Sequence, residues 1–215
     1  MHPNLAALAL VASASMLGSA QAFVPWINTN GSSSTFDWFG GGSDLGLFGS
    51  PMLMGADTFL FFPNSFNAQS SDGHTTQTRD RMQVELLLHQ SQRVAQISFI
   101  NTWKYNVVGV GSSVSATSSI FLTDLNNFQT LSVTYTLPTG LTGLGELQAG
   151  PTINVPIGLD WSHFQLVVNT NFFATSGPGG FASLSMEGSY LLQIPAPGSL
   201  ALLGIAWSAA PRRRR

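Results

Sequence analysis

The feature that most limits what this chain can fold into is an alternation of period two. Met82, Val84, Leu86 and Leu88 are apolar and alternate with Gln83, Glu85, Leu87 and His89, of which only Leu87 is apolar. Successive side chains of a strand point to opposite faces, so such a run buries one face and wets the other. The same phase recurs in Ile97, Phe99, Trp103, Tyr105 and Val107, and again in Val114, Ala116, Ile120 and Leu122. It recurs once more in Leu131, Val133 and Tyr135, opposed by Ser132, Thr134 and Thr136. No stretch of the body shows an apolar face at helical spacing. Strands are expected at 82–89, 94–110, 113–123, 128–137, 159–174 and 181–192, with two more near 35–39 and 58–62. Turn-prone residues separate them, at 138–140, 143–145, 150–151 and 177–180. About eight strands at these spacings imply an all-β fold, a two-layer antiparallel β-sandwich with the jelly roll as one of its topologies.

Some positions break the pattern. Asn101 occupies the buried phase and is polar, which predicts a bulge or a satisfied buried amide. Val108-Gly109-Val110-Gly111 reads as a kink late in a strand. Residues 31–50, rich in Gly and Ser, and 64–78, polar with the turn signal Asp72-Gly73, read as long surface loops.

Both ends differ from the body. Residues 1–22 hold an apolar run from Leu5 to Leu17 and then Ala20-Gln21-Ala22. Small residues at Ala20 and Ala22 are what a signal peptidase accepts, so a signal helix at 1–22 with cleavage before Phe23 is expected. Its n-region lacks Lys and Arg. Residues 194–215 carry Pro195-Ala196-Pro197-Gly198, then a small or apolar run, then Arg212, Arg213, Arg214 and Arg215. The apolar run is about half the ~20 residues that a relaxed spanning helix needs. Arginines behind it keep the tail on the cytoplasmic side and the body outside.

This tripartite tail resembles the PEP-CTERM sorting signal of bacterial surface proteins. Pro195, Ala196, Pro197 and Gly198 match the motif. Leu200, Ala201, Leu202, Leu203, Gly204, Ile205, Ala206 and Trp207 match the short apolar helix, and Arg212–Arg215 match the basic cluster. Ala196 departs from the Glu that is usual in the family. The resemblance implies processing by an exosortase-type membrane protease after the signal peptidase. It further implies transient inner-membrane attachment through the tail, and a cell-surface or extracellular-matrix destination in a Gram-negative-type bacterium. It covers only about the last 22 residues.

Composition narrows the function. Only 8% of residues are charged, against roughly 25% in an average chain. With no Cys there is no disulfide scaffold, Cys-ligated zinc or thiol chemistry. Four of the eight basic residues are Arg212–Arg215, whereas all ten acids lie in the 23–193 body, leaving it near −6. A sparsely charged acidic surface disfavours nucleic acid and other polyanions, and leaves neutral glycans or envelope proteins as contacts.

Candidate chemistry is sparse. No Gly-x-Ser-x-Gly elbow and no HExxH motif occurs. His74 with Asp72 and Asp80 could line a cation site, but a solvated turn is the favoured reading of them, and neither a metal nor a cofactor is expected. Glu85 and Glu187 could face each other as the carboxylates of a hydrolase, or merely stand on wet strand faces. Trp103 and Trp161 lie in patterned strands and are expected in the core, as is the 59–62 Phe cluster with Phe66 unless it meets a protein. Trp38 and Phe39, before the glycines at 40–42, are the aromatics expected to be exposed, with Trp38 the candidate for stacking on a sugar. The expected function is therefore that of a non-enzymatic, exported β-sandwich. A carbohydrate-binding module for exopolysaccharide is the first alternative and an envelope polysaccharide hydrolase the second.

Overall fold

A computed structural model describes residues 23–63, 65–89, 94–156, 159, 161–186 and 190–193. The expected signal segment, the 194–215 tail with its motif, helix and arginines, and Glu187 all lie outside the described residues. The described chain is all-β, as the alternation requires. Its strands are β1 (Val24–Pro25), β2 (Gly31–Ser32), β3 (Phe36–Ser43), β4 (Met52–Met54), β5 (Thr58–Phe61) and β6 (Asn67–Ser71). They continue with β7 (Thr75–Leu88), β8 (Gln96–Val108), β9 (Ser113–Asp124), β10 (Thr130–Thr136) and β11 (Gly143–Ala149). The last are β12 (Thr152–Asn154), β13 (His163–Thr175), β14 (Phe181–Met186) and β15 (Tyr190–Gln193).

All pairings are antiparallel. One sheet runs β1-β3-β7-β13-β9-β10, with β2 beside β3; the other runs β4-β5-β15-β8-β14-β6, with β11 and β12 along β8. Eight of these strands, β6 to β11 with β13 and β14, form the frame. Taken in chain order, the first, eighth, third and sixth make one layer, and the second, seventh, fourth and fifth make the other. That interleaving is jelly-roll connectivity.

The inward phase is the one the sequence pattern marks. Met82, Val84 and Leu86 on β7, Ile97, Phe99 and Trp103 on β8, and Ile120 and Leu122 on β9 are fully or almost fully buried. Rings link up through the core in an unbroken series. Trp38 and Phe36 meet Phe59, and Phe61 carries the contact on to Phe99. From Phe99 it passes through Phe48 and Phe66 to Phe172 and Trp103, with centroids 4.6–6.1 Å apart over that stretch. Such edge-on and tilted pairs each add about 0.5–1.5 kcal/mol beyond area burial. Phe59, Phe61 and Phe66 therefore belong to the core, while Phe62 is exposed.

Several expectations are corrected. Residues 64–78 are not a surface loop: β6 and the first part of β7 occupy most of them, joined by a hydrogen-bonded turn in which Asp72 and Gly73 both have positive φ. Positive φ at two successive residues is what Asp-Gly tolerates. Residues 31–50 contain β2 and β3, so only their second part is loop. The Gly-rich connection after β10 contains β11 and β12, which keep one continuous register along β8. Gly109 and Gly111, both at positive φ, form the turn from β8 to β9 and do not kink a strand. Asn101 sits in regular pairing with Ala149, without a bulge. Among the described residues its buried side-chain amide finds no partner.

Candidate functional site

The outward face of the β7–β13–β9–β10 sheet gathers the polar side chains that composition leaves scattered. Register places them in rows. Asn169 stands between Arg81 and Ser119, and Ser119 pairs with Thr134. One step along, Asn171 stands between Arg79 and Thr117, and next Phe173 between Gln77 and Ser115. In the opposite direction Val167 lies between Gln83 and Phe121. Neighbouring strands are about 4.8 Å apart and same-face residues about 7 Å apart along a strand. The patch from Gln77 to Gln83 is thus roughly 20 Å long. It contains a groove of about 350 Å³, walled on one side by Asp44 and Leu45 of the loop after β3. Phe173, 36% exposed, lies beside Gln77 beyond one end of the groove, and the partly buried Phe121 lies beyond the other.

The groove is held in shape from below. Asp80 is buried and points inward, where it accepts four hydrogen bonds: from Ser43 Oγ at 2.9 Å, and from the backbone N–H of Leu45, Leu47 and Arg81, each at 2.8 Å. The carboxylate thereby fixes the loop that makes the wall. Ser118 and Thr170, also buried, share a hydroxyl bond of 3.1 Å under the floor. On the surface, Gln77 Nε2 donates to Asn171 Oδ1 at 2.8 Å and Arg81 donates to Gln83 Oε1 at 3.0 Å. Arg81 is 3.9 Å from Asp44, a loose ion pair.

Two imidazole–carboxylate pairs stand further along the same face. His163 Nε2 is 2.6 Å from Glu85 Oε1, and His89 Nε2 is 3.1 Å from Asp37 Oδ1. Hydrogen bonds from Ser32 and then His89 hold the Asp37 carboxyl below its ordinary value. The bond to Asp37, then the one to the Ser34 carbonyl, raises His89. Among the described residues no Ser hydroxyl bonds a His ring, and no cluster of three His, Asp or Glu forms. His74 and Asp72 lie at the β6–β7 turn, while Asp80 is committed to the 43–47 loop, so the three are not brought together.

Trp38 does not stand free, and the expectation for it is corrected. It is 8% exposed, packs edge-on against Phe59, and donates its indole N–H to the Asn28 carbonyl at 3.1 Å. The reason is Gly31 on β2, whose missing side chain lets the backbone lie on the ring: a Cβ there would fall 2.1 Å from it. Phe39, next in sequence, takes the outward position at 38% exposure. Trp103 and Trp161 are fully buried, as expected. Sequence reasoning missed the groove because Gln77–Arg81, Thr117–Ser119 and Asn169–Asn171 become neighbours only through register. The outward phase of the 113–123 and 159–174 strands carried the available signal.

No protein-family model and no curated protein matches the chain. Among solved structures it is similar to a chain of infectious bursal disease virus, Gt strain, at 14% identity and TM-score 0.37, over 67% of this chain and 38% of that one. It is also similar to TmCBM61, solved with β-1,4-galactotriose, at 14% identity and TM-score 0.30, over 80% of this chain and 99% of that one. A bacteriophage CBA120 tailspike domain follows at 16% identity and TM-score 0.24, over 78% of this chain and 19% of that one.

Proposed function

We propose that this protein is an exported, non-enzymatic jelly roll that binds glycan chains of the bacterial envelope or matrix through the outer face of its β7–β13–β9 sheet. One observation carries the reading: a groove in which amides, guanidinium groups and hydroxyls from three adjacent strands are presented together, with the exposed Phe173 next in register beyond Gln77. Sugars offer dense hydroxyls on their edges and C–H groups on their faces. Planar polar side chains beside an aromatic ring suit both, and a rigid sheet presents them without ordering cost. Export and sorting rest on the Ala20/Ala22 site and on the 195–215 tail, and would deliver the domain to such polymers.

Affinity electrophoresis and a glycan array test the binding. Retention by at least one polysaccharide is expected, weakened about tenfold by Asn169→Ala with Asn171→Ala, the loss of about 1.4 kcal/mol. Absence of retention by every polymer, or retention unchanged in the double variant, overturns the reading. Mass spectrometry of the extracellular protein tests the sorting, since recovery of intact Arg212–Arg215 there refutes processing of the tail.

A further inference from the structure

We infer that the groove selects a carboxylated glycan, one containing uronic acid, with Arg79 as the residue that reads the carboxylate; this deepens the glycan-binding proposal above and rests on it. The body is acidic overall, yet Arg79 and Arg81 stand at successive outward positions of β7 inside the groove. Two guanidinium groups, which donate and cannot accept, make the site rich in donors. Arg79 is exposed and its guanidinium makes no hydrogen bond or ion pair among the described residues. Asn171 and Gln83 already accept from Gln77 and Arg81, so those two side-chain oxygens are engaged within the face. The one buried carboxylate at the groove, Asp80, has both oxygens occupied by the 43–47 loop and by its neighbour's N–H. Asp44 offsets Arg81 only loosely, at 3.9 Å.

A ligand facing surplus donors must bring acceptors. Neutral hydroxyls bring a donor with their acceptor lone pairs and carry no charge, so they leave the Arg79 charge uncompensated. A carboxylate is planar, accepts two parallel N–H bonds from one guanidinium, and adds charge assistance. The net negative charge of the rest of the body repels densely charged polymers such as nucleic acid or heavily sulfated glycan. A uronate departs from the neutral glycans expected from composition only where it meets the unpaired arginine, and one carboxylate per sugar is a sparser charge than the one per ~1.7 Å of duplex DNA.

The experiment uses the full-length protein against immobilised polygalacturonate and alginate, each beside its carboxyl-reduced form, which keeps the linkage and removes the charge. A preference of about tenfold or more for an acidic polymer is expected, shrinking as salt is raised. Arg79→Gln should abolish that preference, bringing the acidic and reduced forms to the same weak binding, while Arg79→Lys restores only part of it. Equal binding to acidic and reduced forms, or a preference that survives Arg79→Gln, overturns the uronate inference and leaves glycan binding standing. Failure of all four polymers together with the neutral array overturns both. Arg79 is exposed, so its variants should keep the parent circular dichroism and melting, and lost binding then reports on the groove.

Discussion

Asp80→Asn is the sharpest test of how the groove is built. The substitution keeps shape and volume and changes only the polarity of the hydrogen bonds. Asp80 Oδ1 accepts from Leu45 and Arg81, and Oδ2 accepts from Leu47 and Ser43. An amide has one oxygen, so one of these pairs must face an NH₂. The better choice keeps the two backbone donors on the oxygen and turns the NH₂ toward Leu47 and Ser43. Ser43 can then reverse its hydroxyl and accept, but the Leu47 N–H is left without a partner. An orphaned buried donor costs about 1–3 kcal/mol, and hydrogen bonds to a charged acceptor are worth about 1.5–3 kcal/mol against about 1 for neutral ones. A loss of about 2–4 kcal/mol follows, or a fall in Tm of about 4–16 °C for a domain of this size. Urea unfolding followed by tryptophan emission measures it, with an unchanged m-value as the sign that only stability moved. Adding Ser43→Ala removes the rescuing acceptor, so the double variant should lose more than the remaining bond alone is worth. A loss below about 0.5 kcal/mol for Asp80→Asn would refute the account of this carboxylate as the anchor of the groove wall.

Three further outcomes are expected. The His89 ring should titrate above 6.5 by NMR and return toward that value in Asp37→Asn. Its share of stability is complete below 6.5 and lost as pH rises through the raised folded value, whereas that of Asp37 is present above 3.8 and lost as pH falls through the lowered one. Gly41→Val should destabilise by about 1–3 kcal/mol in thermal melts, because a Cβ at Gly41 would sit 2.1 Å from the buried Trp26 ring. Asn101→Leu, which replaces a buried amide lacking partners among the described residues by an apolar side chain of similar size, should leave Tm unchanged or raise it; a clear fall would reveal an unseen partner.

The two-layer β architecture was legible because its inner strands carry bulky apolar residues at every second position, as Met82, Val84, Leu86 and Leu88 do. Where the inward residues are small, contrast vanishes. On β6 the buried positions are Ala68 and Ser70, and the strand reads as a polar loop. On β11 the exposed phase holds Leu144, and glycines on both sides of it mimic a turn. Trp38 shows a different limit. Its burial depends on Gly31 lying across its ring, a contact that local pattern does not encode. Candidate carboxylates and imidazoles could be named from sequence, but their pairing as Glu85 with His163 and Asp37 with His89 is a product of register.

The interleaved strand order also governs how the molecule can be made. β13 is the strand that joins β7 to β9, and β14 joins β6 to β8. Thr75 waits for Thr175, its register partner, a full hundred residues later in synthesis. Until residues 163–186 emerge, neither layer has its central rung, and β6 to β9 present unpaired edges. Assembly must therefore follow completion of nearly the whole domain, slowly and cooperatively, as nonlocal pairing dictates. A chain stopped short of β13 would lose both layers at once, whereas loss of the short edge strands β1, β2 or β4 would leave the frame closed.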